Sequence, residues 1–193
     1  MKREIIITGF GGQGILLMGR ILGKAATLGD HLESTLVQSY GPESRGGSCS
    51  AQVIISDLPI HYPYVRDPDT LVCMSQGGFE KQIGLLGQKG NLIIDQDLVH
   101  GGGSPGPHLF SIPATRMAEE MGRKMMANII MLGFLTVVAG VVSVTAASDG
   151  VTSEVPKGTE AQNLSAFEKG CDYARAQLKG RLKRAAGRGE VGG

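Results

Sequence analysis

The stretch that most limits what this chain can fold into is Glu4 to Leu17, where the apolar run Ile5, Ile6, Ile7 passes through Thr8 into Gly9-Phe10-Gly11-Gly12-Gln13-Gly14 and then Ile15, Leu16 and Leu17. A β-branched run of this kind suits a strand buried on both faces. Four glycines in six residues let the backbone bend sharply and come close to a ligand. An apolar helical pattern follows at once, so the stretch reads strand, glycine turn, helix. The first amides of a helix have no internal partners and carry partial positive charge, so the turn can receive a phosphate or carboxylate. Gly9, Gly11 and Gly14 match the spacing of the dinucleotide fingerprint, in its required context. The competing reading is that these glycines only permit tight strand-to-helix packing, with the turn covered by a partner chain.

The 193 residues, 41% of them hydrophobic, fit one α/β core. A net charge of +1 and few aromatics offer neither the basic stripe nor the stacking platform of a nucleic-acid groove. Cys49, Cys73 and Cys171 are odd in number and far apart, so neither a disulfide framework nor an iron–sulfur cluster is expected within this chain. Reduced thiols in a cytoplasm, with no export signal, fit this usage. The charge-free run Met125 to Val144 is long enough to cross a bilayer, yet it contains Asn128, Thr136 and Ser143. Because it follows an α/β series whose sheet needs cover, it is expected to be a buried helix and not a membrane span.

Along the chain, helix one is expected from Gly14 to Leu28 and a second strand from Leu32 to Gln38, which together make a βαβ unit. A nicotinamide site would carry an acidic residue at the end of that strand. Glu33 has roughly the right offset but belongs near the strand's start. The loop Ser39-Tyr40-Gly41-Pro42-Glu43-Ser44-Arg45-Gly46-Gly47 comes next, at the carboxyl end of a parallel strand, where ligands of open α/β sheets bind. Arg45 offers a bidentate fork for an anion, Glu43 can orient it, and Gly46 lets the main chain approach.

Ser48 to Ser56 and Ile60 to Tyr62 read as a hairpin around Asp57-Leu58-Pro59, with proline keeping the second arm at an edge. Strands are expected at Thr70 to Ser75, Asn91 to Ile94 and Leu109 to Ile112, with helices after Ser75 and after Pro113. Asp95 and Asp97 are expected in a solvated loop, not at a metal. The segment Gly101 to Pro107 reads as a linker or mobile loop on composition, with no chemistry assigned to it. An amphipathic helix runs from Glu160 to Arg184, and residues 179–193 form a basic, glycine-rich tail after a single domain at 1–178. The expected fold is therefore Rossmann-like α/β, a mostly parallel sheet flanked by helices with an antiparallel hairpin at one edge.

Taken together, the Gly-Phe-Gly-Gly-Gln-Gly-Ile start, the Gln-Ser-Tyr-Gly-Pro-Glu-Ser-Arg-Gly-Gly loop, the Val-Ile-Ile-Ser strand and the Met-Ala-Asn-Ile-Ile-Met-Leu-Gly helix resemble the gamma subunit of 2-oxoacid:ferredoxin oxidoreductases, with an overall look closest to the 2-oxoglutarate type. The resemblance implies an assembly that decarboxylates a 2-oxoacid on thiamine diphosphate, passes electrons through iron–sulfur clusters to ferredoxin and yields an acyl-coenzyme A. It further implies that thiamine diphosphate, magnesium and the clusters belong to alpha, beta and delta partners, since this chain has neither their diphosphate motif nor a cysteine cluster. Its own share is then architecture and part of a coenzyme A path. The residues expected on that path are Gly9, Gly11, Gly12, Gln13, Gly14, Ser39, Tyr40, Gly41, Glu43, Arg45 and Gly46, with no catalytic residue. Isolated, the chain should lack activity, bind no cofactor tightly and expose apolar surface that favours self-association. Two readings compete: a free-standing NAD(P)-dependent oxidoreductase, and a scaffold whose glycine turn binds nothing.

Overall fold

The computed structural model describes residues 1–41, 47–101 and 108–189, the last five of these as backbone alone. Six strands form one mixed sheet in the order β2-β3-β1-β4-β5-β6. They are β1 (Lys2–Phe10), β2 (Glu33–Tyr40), β3 (Ser48–Ser56), β4 (Thr70–Cys73), β5 (Asn91–Asp95) and β6 (His108–Ile112). β1, β4, β5 and β6 are mutually parallel, and β3 is antiparallel to both β1 and β2. β2 therefore points the same way as β1 but lies one strand further out. The expected βαβ unit is present with β3 inserted into it.

That insertion corrects the expected hairpin. The antiparallel edge is β2 with β3, joined through residues 41–47, and Ile60 to Tyr62 forms no strand. Both edges of β3 are already paired, and Pro59 and Pro63 bracket the segment and supply no N–H. The chain instead crosses the sheet face there: Arg66 and Asp67 donate to Glu4 Oε2 at 2.6 and 3.0 Å, and Val65 N donates to Gln52 Oε1 at 3.1 Å. These bonds explain how Glu4 is buried in a strand. Ser39 and Tyr40, expected in the loop, are the last residues of β2, held in register with Ser50 and Cys49.

Side-chain alternation along β1 divides the core in two. Ile5 and Ile7 face a large cluster built with α1 (Ile15–Lys24), α4 (Ala127–Ala139), α5 (Val144–Glu154) and α6 (Glu160–Gly189), while Ile6 faces a smaller one that includes Phe79 of α2 (Gln76–Gln82). α3 (Ala114–Glu120) follows β6. Helix one is shorter than expected, because Ala25–Gly29 closes it as a π-helical turn.

The apolar run Met125 to Val144 is not one helix. α4 ends at Gly140, whose φ of 57° is the left-handed conformation that stops a helix, and Ser143 opens α5 by accepting from Ala146 N at 3.1 Å. Thirteen helical residues span about 20 Å, short of the roughly 30 Å hydrocarbon layer. No helix among the described residues is long and apolar enough to cross a membrane. α4 is buried all round, between the sheet and α6. The two helices touch backbone to backbone: a Cβ on Gly133 would lie 2.1 Å from Phe167 O, and one on Gly170 would lie 1.9 Å from Ile130 O.

α5 has no counterpart among the expected elements, since Ser148, Gly150, Thr152 and Ser153 are weak helix formers. α6 continues through Gly189, so the boundary expected at Lys179 is not a break in the helix. Asp95 also departs from expectation: it is fully buried and accepts from Thr115 N at 2.9 Å and Thr115 Oγ1 at 2.7 Å, fastening the start of α3 to β5. Burial pushes its carboxyl above the usual range despite these bonds. Asp97 pairs with Arg116 at 3.3 Å.

Candidate functional site

At the carboxyl end of β1 the chain turns through Gly11 and Gly12 into α1. Gly14 caps the helix at φ 75°, with no side-chain cap bond. Two of the turn's four glycines answer to packing. A Cβ on Gly14 would lie 2.1 Å from Asn128 Nδ2, and one on Gly9 would lie 2.5 Å from Gln13 Oε1 and 2.7 Å from Ile15 Cδ1. Gly12 differs: its φ is 94° and a Cβ there would meet nothing within 4 Å among the described residues, which leave the outer bend open.

Gln13 is a clasp. Its Oε1 accepts from Phe10 N at 2.6 Å and its Nε2 donates to Met74 O at 2.8 Å, which locks the bend to the end of β4. Gly11 N donates to Gly47 O at 2.9 Å and so ties the turn to the β2–β3 connection. Among the described residues, the amides of Gly12 and Gly14 have no acceptor.

Ser39, Tyr40 and Gly41 stand at the same end of the sheet, separated from the glycine turn by β3. Two strand spacings make that separation about 10 Å. Gly41 N donates to Ser48 O at 2.6 Å, and Tyr40 is exposed. Glu43, Arg45 and Gly46 lie outside the described residues. The structure thus brings Gly9, Gly11, Gly12, Gln13, Gly14, Ser39, Tyr40 and Gly41 to one sheet end, but on two neighbouring patches.

The second patch contains residues not singled out from the sequence. Thr8, Ser39, Ser48, Ser50, Lys81 and Gln82 line a cavity of about 240 Å³, where Lys81 Nζ donates to Ser48 Oγ at 3.0 Å. The alternation of Ser48 and Ser50 along β3 is a visible signal, whereas the place of Lys81 requires the fold. Ser75, expected at a strand exit, is there and caps α2 by accepting from Gly78 N at 3.1 Å. Gln76 is taken up by Glu80 and His100 N.

Glu33 stands in register with Ser56, which also pairs with Lys2. It is therefore at the far end of the sheet from the glycine turn, seven residues or about 23 Å along β2 from Tyr40. Among the described residues, no acid stands at the carboxyl end of β2. β3 also fills the slot beside β1 where a dinucleotide-binding domain places its second parallel strand. The three thiols are all buried, and burial raises Cys73 to about 12 and Cys171 to about 11, so they stay protonated at neutral pH.

A mixed sheet with an antiparallel strand inserted beside β1, and a glycine turn tied to the β2–β3 connection, defines an α/β fold other than the dinucleotide-binding domain. The family model for pyruvate ferredoxin/flavodoxin oxidoreductase matches residues 4–173, and the chain belongs to that family. It is 46% identical over 178 residues to 2-oxoglutarate synthase subunit KorC of Methanocaldococcus jannaschii, covering 91% of this chain and 95% of that protein. The keto/oxoacid ferredoxin oxidoreductase gamma subunit of Geobacter sulfurreducens has the same fold, with a TM-score of 0.81 and 35% identity over 90% of this chain and 99% of that one. The resemblance to a gamma subunit therefore holds over the whole fold. Ketoisovalerate oxidoreductase subunit VorA of Methanothermobacter thermautotrophicus is 32% identical over 93% of this chain but only 38% of its own length, so the same unit also occurs within longer chains.

Proposed function

We propose that this chain is the gamma subunit of a 2-oxoglutarate-converting 2-oxoacid:ferredoxin oxidoreductase, and that it lines part of the coenzyme A path. Identity supports the substrate assignment: 46% to three KorC chains and 36% to a fourth, against 31 to 33% to pyruvate synthase and ketoisovalerate oxidoreductase subunits. Alpha and beta chains, with a ferredoxin-like delta chain, hold thiamine diphosphate, magnesium and iron–sulfur clusters, and ferredoxin takes the electrons. The chain works in the cytoplasm and has no turnover by itself.

Support for the coenzyme path comes from the open bend at Gly12, beside amides without an acceptor among the described residues. Such a bend suits a phosphate. Gly12 and Gly14 would supply main-chain donors, Arg45 a guanidinium, and Ser39, Tyr40 and Gly41 the wall. Gly9, Gly11 and Gln13 hold the bend in shape, because their contacts are internal. Coenzyme A, when bound, supplies the thiol that accepts the acyl group. The protein's contribution is placement, which accounts for much of the rate when two reactants must meet.

In the assembled enzyme, Arg45→Ala should raise KM for coenzyme A and leave KM for the 2-oxoacid unchanged. An unchanged KM for coenzyme A removes Arg45 from the path. The nicotinamide reading is tested by titrating the chain with NADH, for which no saturable binding is expected.

A further inference from the structure

The hydroxyl-lined cavity lies on the α2 face of the sheet, the face opposite α1. Register places Ser39 beside Ser50 and Ser50 beside Thr8, so three hydroxyl side chains cross three neighbouring strands on one face, about 4.8 Å apart. Ser48, two residues along β3 on the same face, accepts from Lys81 Nζ at 3.0 Å and so holds the ammonium over the row. Thr8 and Ser50 are buried, at 2% and 6% exposure, and together form the floor. The Ser50 hydroxyl has no hydrogen-bond partner among the described residues. Among the described residues, Thr8 Oγ1 makes only a long bond to Cys49 O at 3.3 Å. Among the described lining residues Lys81 is the one charged group, and it forms no ion pair with any described residue. A cavity with donors on its floor, a cation at its rim and no carboxylate in its described wall selects an oxyanion.

We propose that this cavity binds a phosphoryl group, with Lys81 as the cation and the Ser39 and Ser50 hydroxyls as donors. The proposal deepens the coenzyme A reading and rests on it for the source of the phosphate. The cavity and the start of α1 lie on opposite faces of one sheet end. A ligand with separated phosphates could thus be held at two points, with the β2–β3 end between them.

The test is a titration of the ¹⁵N-labelled full chain with sodium pyrophosphate, followed by amide shifts and by calorimetry. Amides of Ser48 to Ser50 and Lys81 should shift and saturate. Lys81→Met should weaken pyrophosphate about tenfold, as expected for a lost charge-assisted bond, and Ser50→Ala should weaken it less. Coenzyme A competing for the same amides supports it as the source; pyrophosphate binding without such competition supports free phosphate and removes the coenzyme link. Dephospho-coenzyme A, bound equally well, assigns the diphosphate, and bound more weakly, the ribose phosphate. Shifts confined to Gly12 to Leu17 would overturn the cavity site while leaving the coenzyme path at the α1 start intact. Equal affinity in Lys81→Met, or no saturable binding at millimolar pyrophosphate, overturns it as well.

Discussion

Replacing Gly14 by alanine separates the two explanations of the glycine turn, ligand approach and internal packing. At φ 75° an L side chain costs about 1 to 2 kcal/mol of backbone strain. The new methyl would also sit 2.1 Å from Asn128 Nδ2 and 2.8 Å from its Cγ, an overlap that tightly packed cores resist by about 1 to 3 kcal/mol. The sum is a loss of about 2 to 5 kcal/mol. Gly12→Ala is the control: its φ of 94° carries strain, but no described residue lies within 4 Å, so the loss should stop at about 1 to 2 kcal/mol.

Urea and thermal unfolding of the full chain measure both, and the Gly14 variant should melt several degrees below the Gly12 variant, at about 2 to 4 °C per kcal/mol for a domain of this size. Adding Asn128→Ala to Gly14→Ala removes the obstructing amide. Little is lost with it, because Asn128 Oδ1 is buried without a partner and its Nδ2 bond to Gly14 O is long at 3.4 Å. The double variant should recover about 1 to 2 kcal/mol relative to the sum of the single changes. Equal losses at Gly12 and Gly14, with no coupling to Asn128, would refute the packing account.

Gly170→Ala should cost about 3 kcal/mol or more in urea unfolding, since its Cβ meets backbone at Ile130 O and α4 and α6 would have to part; a loss below 1 kcal/mol would contradict that approach. Burial pushes the Glu4 carboxyl up, yet the bonds from Lys2, Arg66 N and Asp67 N outweigh it and leave the group below its usual range. Its stabilisation is therefore complete above the unfolded value of about 4.3 and is lost as pH falls through the lower folded value. Glu4→Gln should lower stability at neutral pH by about 1 to 2 kcal/mol and flatten the acid limb, whereas parallel pH profiles would show that Glu4 does not couple to folding. At the open edge of β6, Gln177 Nε2 donates to Ser111 O at 3.0 Å and Arg181 donates to Leu109 O while stacking on Phe110. Substituting both by alanine should increase concentration-dependent self-association in sedimentation velocity, because an uncovered strand edge is a pairing surface, and an unchanged profile would show that the edge is guarded otherwise.

Much of the architecture is written in local pattern. The isoleucine run, the glycine turn and the apolar period after it state β1, the bend and α1, because a buried strand and an amphipathic helix each leave their own periodicity in the chain. The same holds for β4, β5 and β6. Strand order is different in kind. Which strand pairs with β1 depends on contacts between residues some 40 positions apart, and nothing in Ser48 to Ser56 announces that it will enter between β1 and β2. The hairpin was therefore legible as an antiparallel edge but not as the pair β2 and β3.

The site divides in the same way. Residue types fixed its location, since a glycine turn after a first strand and a polar loop after a second must both reach the carboxyl end of a parallel sheet. Only the tertiary structure decided which of those residues face outward. Gln13 looks like a ligand contact in sequence and is a clasp between strands; Gly14 reads from sequence as a glycine needed for ligand approach, and the fold adds a packing reason, the Asn128 side chain 114 positions away. Asp95, polar and next to a turn, reads as solvated and is buried under α3. Lys81 carries no sequence signal and becomes the cation of a hydroxyl row because α2 folds back over β3. Sequence encodes what each segment buries on its own; the meeting of distant side chains is settled by packing, and there the chemistry of this protein is set.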